Sequence, residues 1–239
     1  MPFCKAAAAA LSLPLAMRFS LFILSGLLLL LAASCRREEA APDIDGATYF
    51  PYRPGEERTY RIDSFLHSSL ADSVEYRYRI LKEKVVSDQA DLQGVMVNRI
   101  ERWISADSGR TYAFHSLATC SRRADHAWWM EENRTWVKLS FPVRQNRSWD
   151  GNAYNAGGIR DFRYTRIRGA FNNGVQVFPQ TIEVQMQADS SFINRYIEKE
   201  VFAEGLGMVY RESVQLDFQP GANMANGHEA YIRLMSIRR

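Results

Sequence analysis

The chain predicts a single all-β domain of about nine or ten mostly antiparallel strands, a curved sheet closing into a half-barrel or barrel, with a β-sandwich as the alternative. Three observations predict it. Apolar and polar residues alternate with period two along several runs. Turn residues fall between those runs at hairpin distances. No long stretch of the mature chain carries the 3.6-residue period of an amphipathic helix.

The first element is an export signal. The apolar run 19–33 is shorter than the ~20 residues a membrane-spanning helix needs, and fits the apolar region of a leader. Ala32, Ala33 and Ser34 are small enough for a peptidase to hold extended, and Cys35 follows them. The pattern resembles a lipobox, cut by signal peptidase II after a diacylglycerol has joined the thiol. That resemblance implies that Cys35 is the lipidated N-terminus of a bacterial lipoprotein, carrying acyl chains such as palmitate. Several chains on one cysteine hold a protein stably, because each buried CH₂ adds about 0.8 kcal/mol. The membrane is therefore the expected partner. Met17 and Arg18 make a compact start to the leader, so Met17 is the expected initiator. Arg36 follows the cysteine where an inner-membrane retention signal has aspartate, which favours the outer membrane. Arg36-Arg37-Glu38-Glu39 is also similar to the surface-export tag of Bacteroidetes lipoproteins.

Residues 1–34 are thus expected to be leader, 35–47 the acylated N-terminus and a flexible tether, and 48–239 the β-rich domain. Charge, Pro42, Gly46 and the lack of periodicity mark the tether. Losing the leader removes Lys5 and Arg18 but no acidic residue, so the formal charge of +3 falls by two. A balance so near neutral, without a long basic run, points away from nucleic acid. Of the three cysteines only Cys120 lies in the domain, so no internal disulfide is expected and Cys120 reads as a small buried residue.

The strands follow. Val74, Tyr76, Tyr78 and Ile80 alternate with Glu75, Arg77 and Arg79; Ile182, Val184 and Met186 alternate with Glu183, Gln185 and Gln187. Charges interleave with apolar residues over 194–202. Turns are expected at Asp107-Ser108-Gly109, Asn173-Gly174, Gly205-Leu206-Gly207 and Asn226-Gly227.

Several segments resemble an uncharacterised family of Bacteroidetes lipoproteins. They are residues 49–55 (Tyr-Phe-Pro-Tyr-Arg-Pro-Gly), 59–64, 132–134, 138–143, 149–155 and 202–210. Arg58-Thr59 stands where that family often has an aromatic. The resemblance implies an envelope lipoprotein and assigns no activity.

The densest candidate feature is aromatic. All five tryptophans lie between Trp103 and Trp149. A hairpin about Glu132-Asn133 sets Glu131 against Arg134, Trp129 against Trp136 and Trp128 against Val137. The face with Trp128, Met130, Val137, Leu139 and Phe141 is then expected in the core. The other face would carry Trp129 and Trp136 ringed by Glu131, Arg134 and Lys138, a candidate platform for a glycan, a lipid or an envelope protein. Asp72-Ser73-Val74 fits the Bacteroidetes O-glycosylation pattern, with Ser73 as acceptor.

Catalytic chemistry has weaker support. His67, His115, His126 and His228 form no HExxH or finger spacing, and no GxSxG, P-loop or dinucleotide fingerprint occurs. No cofactor or metal is expected. Trp149-Asp150-Gly151-Asn152 reads as a turn. The expected role is non-catalytic: binding or an envelope component, including an apolar ligand held in the concavity. The alternative is a surface hydrolase of glycans or lipids, which requires groups such as Asp125, His126, Glu131, Asp150 and His228 to converge.

Overall fold

A computed structural model describes residues 44–91, 94–219, 221 and 224–239. Cys35, the leader and most of the predicted tether lie outside the described residues. The described chain is a single twelve-stranded antiparallel sheet. Its strands are β1 (Glu57–Ser68), β2 (Ser73–Ala90), β3 (Met96–Ser105), β4 (Ala113–Arg122), β5 (His126–Glu131) and β6 (Arg134–Ser140). They continue with β7 (Ser148–Asp150), β8 (Asp161–Asn172), β9 (Val177–Ser190), β10 (Asn194–Ala203), β11 (Gly207–Asp217) and β12 (Asn226–Arg238).

The spatial order is β6-β5-β4-β3-β2-β1-β12-β11-β10-β9-β8-β7. It is a run of neighbouring hairpins, closed in the middle by the first strand pairing with the last. The two edges also meet. Val137 N on β6 donates to Gly151 O just after β7 at 2.9 Å, and Trp149 Nε1 donates to Val137 O at 2.8 Å. The sheet is therefore a nearly closed barrel, which covers the edges that an open sheet would expose. The all-β, antiparallel and barrel expectations hold. The strand count exceeds expectation because three-residue β7 is too short to show a period. Val177 to Ser190 also forms one strand across Pro179. That proline lies beyond the end of β10 and beside irregular pairing with β8, so its missing N–H costs no ladder bond.

Residues 44–47, placed in the tether by composition, pack on the domain. Ile44 bridges Val143, and Asp45 Oδ1 accepts from Ala47 N at 3.0 Å to cap a 3₁₀ turn at Gly46–Tyr49. A Cβ on Gly46 would come within 2.2 Å of the Phe141 ring, so glycine is what lets this turn approach. The turn feeds Tyr49, Phe50 and Tyr52 into the main core. There they join residues from both halves of the sheet, among them Val85, Ile100, Phe162 and Phe202. Arg58 is fully buried and lies 3.8 Å from the Tyr52 ring centroid. Its Nη2 donates to Glu56 Oε2 at 2.8 Å and to Pro51 O at 2.9 Å.

Candidate functional site: the barrel interior

Register defines the inner face. Tyr60, Ile62, Ser64 and Leu66 share one side of β1. They stand opposite Leu81, Arg79, Arg77 and Glu75 on β2, and opposite Leu234, Ile232, Ala230 and His228 on β12. Leu81 and Ile232 line a central cavity of about 40 Å³, together with side chains from β3, β5, β6, β10 and β11. That volume holds roughly three waters.

The cavity wall is charged. Arg102 Nη1 donates to Glu131 Oε2 at 2.5 Å, and its Nε lies 3.3 Å from Glu83 Oε1. Lys138 Nζ donates to Glu200 Oε1 at 2.6 Å. Arg211 Nη2 donates to Glu198 Oε1 at 2.7 Å, and Arg211 Nε reaches within 3.7 Å of Glu200. Burial pushes Glu131 and Glu198 up, but neighbouring cations outweigh it and hold both carboxyls below the usual range. Arg102, Lys138 and Arg211 act on Glu131, and Arg211, Lys138 and Arg160 on Glu198. Glu83 is the exception. Its burial wins over Arg102 and Arg58, its pKa rises, and its Oε2 has no hydrogen-bond partner in the structure.

Away from the aromatic turn the inner face widens into a mouth of mixed polar and apolar side chains. One recess of about 430 Å³ is lined by Arg77, Arg79, His115 and His228 together with Ile62, Leu66 and Ile104, and an adjoining one of about 400 Å³ by Tyr196, Gln215, Asp217 and again His228. The interior is thus filled at its core, charged at its centre and mixed in character at its opening.

The predicted tryptophan hairpin forms with the expected partners: Glu131↔Arg134, Trp129↔Trp136 and Trp128↔Val137. Glu132 and Asn133 both have positive φ, as a tight two-residue turn requires. The faces correct the expectation. Trp129 is 8% exposed and packs at 5.5 Å from the Tyr52 ring, while Met130 faces solvent. Trp136 is half-buried and stacks on Phe162 at 6.1 Å. Trp129, Glu131, Trp136 and Lys138 share a face as expected, but that face turns inward, and a register shift between the pairs Ala127↔Leu139 and Trp128↔Val137 brings Leu139 to the same side. Lys138 then lines the cavity while Leu139 joins the core.

The hydrolase candidates do not converge. Asp125 Oδ1 lies 2.7 Å from His126 Nδ1, and Tyr154 Oη 2.9 Å from His126 Nε2, at the surface. Glu131 is inside on Arg102. Asp150 Oδ1 accepts from the backbone N–H groups of Asn152 and Arg160, which is turn chemistry. His228 sits in the mouth. Cys120 is buried and its thiol is pushed up by that burial. Ser73 is exposed at the start of β2, next to Asp72 at positive φ. Among the described residues no three His, Cys, Asp or Glu side chains gather as metal ligands. Sequence reasoning missed Glu83, Arg102, Glu198, Glu200 and Arg211. The available signal was Glu198-Lys199-Glu200, where alternation forces charge onto both faces of a strand.

No family model matches the chain, and no curated protein does. Two solved structures are similar in part. One is a candidate exported protein with a YmcC-like fold from Bacteroides fragilis, 12% identical over 80% of this chain and 99% of that one, with a TM-score of 0.44. The other is a candidate lipoprotein from Parabacteroides distasonis, 8% identical over 80% of this chain and 98% of that one, with a TM-score of 0.37.

Proposed function

We propose that the chain is a lipid-anchored envelope protein, held at the outer membrane through Cys35, whose barrel works by binding and not by catalysis. The observation that carries the non-catalytic part is the state of the interior carboxylates. Glu131 and Glu198 each lie on an arginine at ion-pair distance, while Glu83, whose pKa is raised, is buried in the wall. A carboxylate held ionised by a fixed cation is a poor general acid, and the surrounding core leaves little room for a substrate beside it. The anchor rests on the leader that ends in Ala32-Ala33-Ser34-Cys35. The basic-then-acidic residues 36–39 support display at the cell surface, and Ser73 is an exposed acceptor for a glycan.

Mass spectrometry of the protein from its own membranes tests the anchor. The expected mature species begins at Cys35 with acyl mass, and Cys35→Ser stays in the precursor form. A wild-type species without acyl mass, or one retaining the leader, overturns this reading. A mass increment lost in Ser73→Ala checks the glycan.

A further inference from the structure

We propose a second, external site: a groove on the outer face of β1, β2 and β12 that binds the carboxylate of an acidic sugar chain. On β1, Arg61, Asp63 and Phe65 alternate with the inward-facing residues, so they point away from the cavity. Register places Tyr78 and Tyr76 of β2 and Tyr231 of β12 on the same side. The tip of the β8–β9 hairpin runs past the end of β10 and supplies Gly174 and Val175 as the opposite wall. Between them lies an open groove of about 630 Å³.

The groove is organised around Asp63, which is only 6% exposed. Its Oδ1 accepts from Arg61 Nε at 2.9 Å and from Tyr76 Oη at 2.6 Å, and its Oδ2 accepts from Arg233 Nη1 at 2.5 Å. Arg61 Nη2 donates to Tyr76 Oη at 2.9 Å. One buried carboxylate therefore fixes two guanidinium groups whose other N–H donors remain available at the groove. On the same face Glu229 lies 2.8 Å from His67 and also accepts from Tyr231, and Glu212 is 3.0 Å from Lys199, so the grip on a ligand is local to the two guanidinium groups. Planar guanidinium groups suit carboxylates, which they can grip through paired hydrogen bonds.

The remaining surface selects the rest of the ligand. Phe65 lies 5.1 Å from Tyr76 and 6.2 Å from Tyr231, ring centre to ring centre, and Tyr76 is 47% exposed. Such rings offer flat apolar faces with polar rims, which match the C–H faces and hydroxyls of a sugar. An extended peptide has no comparable foothold. β1, β2 and β12 are each paired on both sides, so no strand edge is free for an added strand.

Calorimetry on the full-length protein as the cell processes it, in detergent, tests the site with three probes: an oligogalacturonate, a neutral oligosaccharide of equal length and inorganic phosphate. The oligogalacturonate is expected to bind and the other two are not. Arg61→Gln and Arg233→Gln each weaken binding about tenfold or more, as expected for loss of a charge-assisted hydrogen bond. Because Arg233→Gln also leaves Asp63 underpaired, Val175→Glu is the cleaner variant. It places a negative charge on an exposed hairpin tip, and should weaken binding to a similar degree with an unchanged melting temperature. No oligogalacturonate binding, equal binding of the neutral oligosaccharide, or indifference to Val175→Glu overturns the site. Phosphate binding with the same sensitivity to the variants overturns the sugar assignment.

Discussion

Lys138 shows how much depends on which face of a strand turns inward. Alternation puts it on the same side as Trp136, and because that side faces the cavity its ammonium meets Glu200. Both groups are buried, so their attraction competes with the cost of leaving water. Removing one partner is then worse than removing both. Lys138→Ala should cost about 3–5 kcal/mol in urea denaturation, because it leaves Glu200 with only the longer contact to Arg211. The pair Lys138→Met, Glu200→Met should recover most of that loss. If the single and double variants are equally unstable, the coupling is absent. The same residues mark what the sequence could and could not disclose. The cross-strand partners Glu131↔Arg134 and Trp129↔Trp136 followed from counting back from a turn. The inner side did not, because β5 carries a tryptophan on each face and the face that turns inward is the one that carries Glu131 and Lys138. Lys138 and Glu200 are 62 residues apart, and periodicity within either strand carries no information about the other.

At the scale of the element, the β8–β9 hairpin is the clearest case. Its turn, Asn173-Gly174, was legible from its residue types, but its position over β11 and β12 was not. Three irregularities in the pairing of β8 with β9 bend it. Asn173 then docks the tip: its Nδ2 donates to Val209 O at 3.2 Å and to Leu234 O at 2.9 Å. Its Oδ1 accepts from Val175 N at 2.9 Å and from Gln176 N at 3.0 Å. Phe178 is buried with Val209 and Leu234 in a second apolar cluster, and Phe171 packs against it. Asn173→Ala leaves two buried carbonyls without this donor and should cost about 1–3 kcal/mol. Hydrogen exchange should localise the change: amides of 171–178 lose protection while those of β3 and β4 keep theirs. Uniform loss across the sheet would show that the tip is not a separate clasp. This hairpin also walls the external groove, so its docking fixes the spacing between Val175 and the two arginines.

For the whole molecule, closure of the barrel brings distant charges to one place. β1 pairs β12, and the ionic centre draws on strands from both sides of that seam. Stability should therefore depend on pH in a defined window. An unfolded glutamate titrates near pH 4.3. Glu131 and Glu198 titrate lower when folded, because Arg102, Arg211, Lys138 and Arg160 favour their ionised forms. Below pH 4.3 the unfolded chain takes up protons that the folded one resists, so their contribution is present above that value and lost as pH falls through their folded values. Glu83 acts in the opposite sense: its folded value is raised, so protonation near and above pH 4.3 favours the fold. Asp107, held low by hydrogen bonds from Ser105 and Thr111, and Asp125, held low by His126, act in the same sense as Glu131 and Glu198, so the acid side carries a net loss. The melting temperature should hold steady from pH 7 to about 5 and fall as acid is taken below about 4. Arg211→Met removes a cation that favours both depressed carboxylates, so its curve should begin to fall at a higher pH than the parent's. Salt should change either curve little, because these pairs are shielded from bulk ions by the barrel wall. A parent melting temperature flat between pH 5 and 3, or an Arg211→Met curve that falls in parallel with the parent's, would mean that the central pairs do not govern acid stability.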